Sequence, residues 1–191
     1  MTTPDVRHVT DSRVLAALSH PLRRRMMDVL KVHGPSTVGL LAERTGQASA
    51  NVSHHLRVLA GAELVEEAPE LARDRRERWW RLVTRGVRWS QSDFDADPAA
   101  RAVADAATSL NLDRHVALAR AWHATDETSQ AAWPQGPFST DRWLHLTDAE
   151  LAELAREMNE LLARWGDRDV PDDGHRREPV FLFAYGMPAT P

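Results

Sequence analysis

Ala48-Ser49-Ala50-Asn51-Val52-Ser53-His54-His55-Leu56-Arg57-Val58-Leu59-Ala60-Gly61-Ala62-Glu63-Leu64-Val65 decides how the rest of the chain is read. Val52, Leu56 and Leu59 recur at i, i+4 and i+7, which sets them on one face of a helix. With that face turned inward, Ser49, Asn51, Ser53, His54 and Arg57 face outward or flank it. Short polar and basic side chains of this kind reach base edges and phosphates from a helix lying in a major groove. Gly61 stands where a glycine stop is expected, and Leu64-Val65 opens a strand. Periodicity alone fits an ordinary surface helix as well, so the flanks carry the decision.

Upstream, Met1 to Thr10 reads as a loose tail, and Asp11 or Ser12 can cap a short helix over Arg13 to Ser19. His20-Pro21 breaks it, because proline disfavours a helical residue before it and suits the first turn of a new helix. That second helix runs from Pro21 to about Val32, with Leu22, Met26, Val29 and Leu30 buried and Arg23, Arg24 and Arg25 at its entry. Ser36 or Thr37 caps a third helix through Arg44, and Gly46 closes it. Two short helices joined by the tight turn Thr45-Gly46-Gln47 form a helix-turn-helix unit. Downstream, Leu64 to Glu67 and Arg78 to Val83 read as two short strands. The charged loop Ala68 to Glu77 joins them into a β-wing.

Composition sets the frame. The chain has 191 residues, 42% hydrophobic and 27% charged, as in a globular protein. It has no cysteine, which removes disulfides, thiolate metal sites and thiol redox sensing. No apolar run approaches the roughly 18 residues of a membrane span and no signal-peptide core opens the chain; a cytoplasmic protein is expected. The net charge of −4 hides an asymmetry: residues 1–90 carry 15 basic against 10 acidic side chains, and residues 91–191 carry 9 against 18. A basic first half fused to an acidic second half fits a nucleic-acid-binding domain joined to something else.

These residues resemble a known family. Leu15-Ala16-Ala17-Leu18-Ser19-His20-Pro21-Leu22-Arg23 is similar to the opening of the ArsR-type winged-helix repressors. Leu40-Leu41-Ala42, Ser49, Val52 to Leu59, Gly61 and Leu64-Val65 resemble the helix-turn-helix signature of that family, and Arg75, Arg76 and Arg78 fall where its wing is basic. The resemblance covers roughly residues 12–88. It implies a homodimeric winged-helix regulator that binds double-stranded DNA at a palindromic operator. The DNA-binding candidates are then Gln47, Ser49, Asn51, Ser53, His54, His55, Arg57, Arg73, Arg75, Arg76 and Arg78. Asn51 is expected to read an adenine or touch a phosphate, His54 to reach a base or phosphate, and Ser53 and Arg57 to contact the backbone. The wing arginines track phosphates or the minor groove. His55 fits a DNA contact and a structural histidine equally.

Metal sensing is the family's obvious variant. Its thiolate motif falls on the helix after Ser36, which here reads Thr37-Val38-Gly39-Leu40-Leu41 without cysteine. Its second site uses Asp and His ligands on the helix after the wing. Asp113, His115 and His123 are the nearest residues here, and their spacing does not match. No metal site and no cofactor are expected.

Residues 91–191 lie beyond the resemblance. Gln91 to Asp97 reads as an acidic linker. Asp97-Pro98 starts an alanine-rich helix or helix pair to about His123, with a phase shift near Asn111; the resemblance implies that this helix joins the dimer interface together with the first helix. Ala124 to Pro137 reads as loop and Arg142 to Leu146 as a strand. Thr147-Asp148-Ala149-Glu150 is a capping box opening a helix with Leu151, Leu154, Met158, Leu161, Leu162 and Trp165 in a stripe. Val180 to Tyr185 reads as a second strand. Trp122, Trp143, Trp165, Phe181 and Phe183 either line a site for a small apolar or aromatic effector or fill a core and dimer interface.

The expected fold is therefore mainly α with a β-wing (α+β): a winged helix-turn-helix domain over residues 11–90, then a helical dimerisation region and a small strand-helix-strand unit over 91–191. The expected function is that of a dimeric DNA-binding transcription regulator, a repressor released by a small organic effector. A winged-helix protein-interaction module and a regulator using His/Asp metal ligands are the alternatives. No glycine-rich phosphate loop, nucleophile elbow or metalloprotease helix points to an enzyme.

Overall fold

A computed structural model describes residues 6–74 and 77–191. They fall into two compact units, Met1–Val116 and Ala117–Pro191. No helix among the described residues is long and apolar enough to cross a membrane.

The first unit opens with a strand, β1 (Val6–His8), where the sequence suggested a loose tail. It pairs in parallel with β5 (Gly86–Arg88), and Val9 just beyond is buried. Helix α1 (Ser12–Leu18) is capped by Asp11, whose carboxylate accepts the Arg13 N–H at 2.9 Å. Helix α2 (Pro21–His33) has proline in its first turn, where a missing N–H costs nothing. The His20 ring caps it, Nδ1 accepting the Leu22 N–H at 3.2 Å. Ser36–Thr37 forms a short strand, β2, paired antiparallel with Trp79 and Trp80, which the sequence did not announce. Thr37 then caps α3 (Val38–Thr45), and α4 (Ser49–Gly61) follows. Strands β3 (Val65–Glu67) and β4 (Trp79–Leu82) pair antiparallel, giving a three-stranded sheet in the order β2-β4-β3. This is the expected winged helix, with one extra small sheet at its edge.

Three local expectations change. The left-handed residue after α4 is Glu63, at φ +55°, and not Gly61, the last residue of the helix. The Arg7 guanidinium holds that turn by donating to the Glu63 carbonyl at 3.1 Å. Gln91–Phe94 is a 3-10 turn whose Phe94 is buried, so this segment packs on the core where an acidic linker was expected. Helix α5 (Pro98–His123) runs without a break at Asn111. Ala104 and Ala107 on it are buried, and the Trp89 indole N–H donates to Thr108 Oγ1 at 3.0 Å. Further along, Arg24 on α2 bonds Asn111, and Arg114 pairs with Asp28. The core of the first unit thus joins Leu15, Met26, Leu30, Leu41, Val52, Leu56, Leu59 and Val65 with Phe94 and Ala104.

The second unit contains the short helix α6 (Glu127–Ala131), inside a stretch expected to be loop, and the 19-residue helix α7 (Asp148–Gly166). The capping box is present as read: Thr147 Oγ1 accepts the Glu150 N–H at 3.3 Å, and the Glu150 carboxylate accepts the Thr147 N–H at 2.7 Å. The two flanking strands do not form. Neither Arg142 to Leu146 nor Val180 to Tyr185 is a strand. An apolar run makes a strand only when another strand satisfies its backbone, which hydropathy alone does not supply.

Candidate nucleic-acid interface

Helices α3 and α4 meet at a turn that requires Gly46. Its φ of +67° is a left-handed conformation that side chains with Cβ rarely adopt. The Gly46 N–H donates to Glu43 O at 3.2 Å and the Gln47 N–H to Ala42 O at 3.0 Å, so the end of α3 is satisfied before α4 begins. Thr45 completes it by donating its hydroxyl to Leu41 O at 2.6 Å.

On α4 the buried positions are Val52, His55, Leu56 and Leu59. The opposite arc carries Ser49, Ala50, Ser53, His54 and Arg57. All are exposed except Ser53, which is half-buried. Ala50 is the addition to the expected set; an exposed methyl among polar donors suits contact with a thymine methyl. No side chain caps the N-terminus at Ala48, which leaves the first N–H groups of α4 open beside Ser49. That end carries partial positive charge and suits a phosphate. Gln47 and Asn51 stand one turn apart and are coupled, Asn51 Nδ2 donating to Gln47 Oε1 at 3.0 Å. They form one amide unit at the helix entrance.

His55 belongs to the other side, a correction to its place among the DNA contacts. It is 8% exposed, its ring 4.4 Å from that of His20 and 5.2 Å from that of His54. Burial, with Arg23 and the other two histidines adjacent, pushes its pKa below the ordinary imidazole value, and His20 shifts the same way for the same first cause. Arg23 is drawn inward too. It donates to the carbonyls of Ala17 and Ala16 at the end of α1, the latter at 3.0 Å. Arg25 reaches the Arg44 carbonyl at 3.4 Å. The arginines at the entry of α2 therefore brace the scaffold. The residues that seat His55, namely His20 and Arg23, were visible in the sequence only as a helix break and a charge run.

In the wing, Arg73 and Arg78 are exposed. The Arg73 and Glu77 N–H groups donate to Glu77 Oε2 at 2.9 Å and Asp74 Oδ1 at 3.0 Å, closing the loop on itself. Arg78 faces Glu67 at 3.4 Å, and Arg81 pairs with Glu66 at 2.7 Å and with Glu70. Such exposed pairs are worth little and exchange readily for a phosphate. Arg75 and Arg76 lie outside the described residues.

The five aromatics proposed around an effector lie on the second unit. Trp143 is 66% and Trp165 60% exposed. Phe181 and Phe183, their rings 5.9 Å apart, are also exposed, and Trp122 is half-buried. A site that encloses a small apolar molecule buries most of its lining; these rings lie open. Among the described residues no group of three or more His, Asp or Glu side chains is set to hold a metal. His115 stands instead among Arg114, Arg24, Asp28 and Lys31.

The helix-turn-helix domain family matches residues 18–68. The transcriptional repressor SdpR of Bacillus subtilis is 38% identical over 56 residues, a segment covering 29% of this chain and 61% of SdpR. The homodimeric winged helix-turn-helix DNA-binding domain of Mb0332 from Mycobacterium bovis aligns at 23% identity, with a TM-score of 0.35, over 60% of this chain and 84% of that one. RV1404 from Mycobacterium tuberculosis aligns at 19% identity, with a TM-score of 0.33, over 83% and 86% of the two chains. Residues 18–68 match the helix-turn-helix domain family, and with the strands that follow they form a winged helix-turn-helix.

Proposed function

We propose that this chain is a sequence-specific DNA-binding transcription regulator of the cytoplasm, a repressor that acts as a dimer on an inverted repeat. The observation that carries the reading is the two-sidedness of α4. Val52, Leu56 and Leu59 are fully buried, which fixes the helix rigidly, while Ser49, Ala50, Ser53, His54 and Arg57 are turned outward together. A rigid helix with short side chains on its outer arc fits a major groove. Gln47 and Asn51 read from the entrance, and Arg73, Arg75, Arg76 and Arg78 meet phosphates from the wing. His55 stays underneath and keeps the helix in place. Similarity to a bacterial repressor over 56 residues supports the regulatory role.

The test is a binding titration on duplex DNA at several salt concentrations. Arg57→Ala is expected to weaken binding on every sequence and to lower the salt slope by about one phosphate contact. Asn51→Ala is expected to cost more on the selected site than on random DNA. An unchanged salt slope removes Arg57 from the interface, and equal losses on both DNAs remove Asn51 as a reader. Tight protein partners together with salt-independent, negligible DNA affinity favour the protein-interaction reading.

A further inference from the structure

Strand β1 precedes the helix-turn-helix, yet it bears on helix α4. That helix ends in a Schellman motif. The Leu64 N–H donates to Leu59 O at 3.0 Å and the Glu63 N–H to Ala60 O at 2.9 Å, the six-to-one and five-to-two bonds that define the motif. The residue between them must be left-handed, and glycine usually fills the position. Here it is Glu63, the only non-glycine residue with positive φ among the described residues. Leu64 and Val65 immediately beyond it are buried. The turn at Glu63 therefore sets the direction in which β3, the first strand of the wing, leaves α4.

What offsets the left-handed backbone of this glutamate comes from β1. Arg7 donates one guanidinium N–H to the Glu63 carbonyl at 3.1 Å and sets its other amino group 3.4 Å from the Glu63 carboxylate. A charge-assisted bond to a carbonyl is worth more than an exposed ion pair, so the carbonyl bond carries most of this clasp. The backbone of Arg7 is anchored from the far side of the wing. Arg7 stands opposite Val87 in the parallel β1–β5 pair, the Val9 N–H donates to Arg88 O at 2.8 Å, and Val9 is buried. His8 Nε2 and Asp93 Oδ2, 2.7 Å apart, tie the end of the strand to the turn before α5. We infer that Arg7 is a positioning residue for DNA recognition: it clasps the α4–β3 turn at Glu63 to β5 and so fixes the angle between the helix that reads the groove and the wing. The inference rests on the reading of α4 as the DNA-facing helix. It gives Arg7 no phosphate of its own, and it makes the clasp dispensable once glycine, which adopts the turn freely, stands at position 63.

The test uses the full chain and two variants, Arg7→Ala and Arg7→Ala combined with Glu63→Gly, each with unchanged helical circular dichroism. Arg7→Ala is expected to lower the ratio of affinities for the selected inverted repeat over random duplex DNA about fivefold. The salt slope is expected to stay that of wild type, because no phosphate contact is lost. Adding Glu63→Gly is expected to bring the ratio back to within about twofold of wild type, since glycine holds the turn unaided. Without DNA, amide hydrogen exchange at Leu64 is expected to speed up in Arg7→Ala and to slow again in the double variant. A lower melting temperature with an unchanged ratio makes Arg7 a purely stabilising residue and overturns the inference. So does a lower salt slope, which makes Arg7 a phosphate contact, and so does a double variant whose ratio stays low. A wild-type chain that selects no DNA overturns the reading of α4, and the inference with it. Leu64 exchange that Arg7→Ala leaves unchanged overturns the clasp alone, whether or not the chain binds DNA.

Discussion

The first unit hides its large apolar side chains from several directions at once: Leu15, Met26, Leu41, Leu56 and Leu59 come from four different helices and are fully buried. The second unit has an equally strong apolar pattern on α7 and in Val180 to Tyr185, and none of those side chains is buried. Both units have good local chemistry, with side-chain caps on α1, α2, α3 and α7. What separates them is long-range partnership. Helices α1 to α4, the wing and α5 meet around one core, whereas much of the apolar stripe of α7 stays exposed. An amphipathic pattern specifies that a face will be covered; it does not specify by whom.

Truncation in the two regions should therefore have unequal consequences. Leu56→Ala removes a fully buried side chain and is expected to destabilise the first unit by about 3 kcal/mol, read by urea unfolding. Leu161→Ala is expected to leave the unfolding of that unit within about 0.5 kcal/mol of wild type. Equal losses would mean that α7 belongs to the same core. A smaller effect tests the local support of α7. Thr147→Ala deletes one half of its capping box and is expected to cost the helix about 1 kcal/mol, seen as lost helical circular dichroism while the first unit melts unchanged.

Acidification should also strike the units differently. Burial of His20 and His55 beside Arg23 and His54 holds both imidazoles below their ordinary pKa. The unfolded chain, at about 6.5, then binds protons that the folded chain refuses. The sign follows: this contribution is neutral above the unfolded value and destabilises as pH falls below it. Protonation at His20 Nδ1 also removes the acceptor that caps α2. The melting temperature of the first unit is expected to fall from pH 7 toward pH 5.5, and less steeply in His55→Asn. A flat profile would show that the histidines are solvated.

The sequence made the first unit legible because its signals agreed with one another. The Gly46 turn, the Thr37 cap, the Val52-Leu56-Leu59 stripe and the two wing strands are each local, and each appears where it was read. Pairing between distant, very short segments was not legible. Nothing in Val6–His8 announces Gly86–Arg88 as its partner, nor Ser36–Thr37 the strand Trp79–Leu82. The candidate site was read in outline for the same reason. The outer arc of α4 follows from its periodicity. His55 sits inward because the buried arc is wider than the three apolar residues that reveal it. In the second unit the α7 cap and stripe are plain, while the flanking strands rest on hydropathy alone, which does not specify the second strand a ladder requires.

The most direct test of the central claim is selection of bound fragments from a pool of random duplex DNA by the purified full chain, sequenced after washing at two salt concentrations. The account predicts an enriched inverted repeat, its half-sites about one helical turn apart, and loss of that enrichment in a Ser49→Ala, Arg57→Ala double variant that remains folded. Recovery of unenriched DNA at both salt concentrations, or the same enriched motif from the double variant, would contradict it.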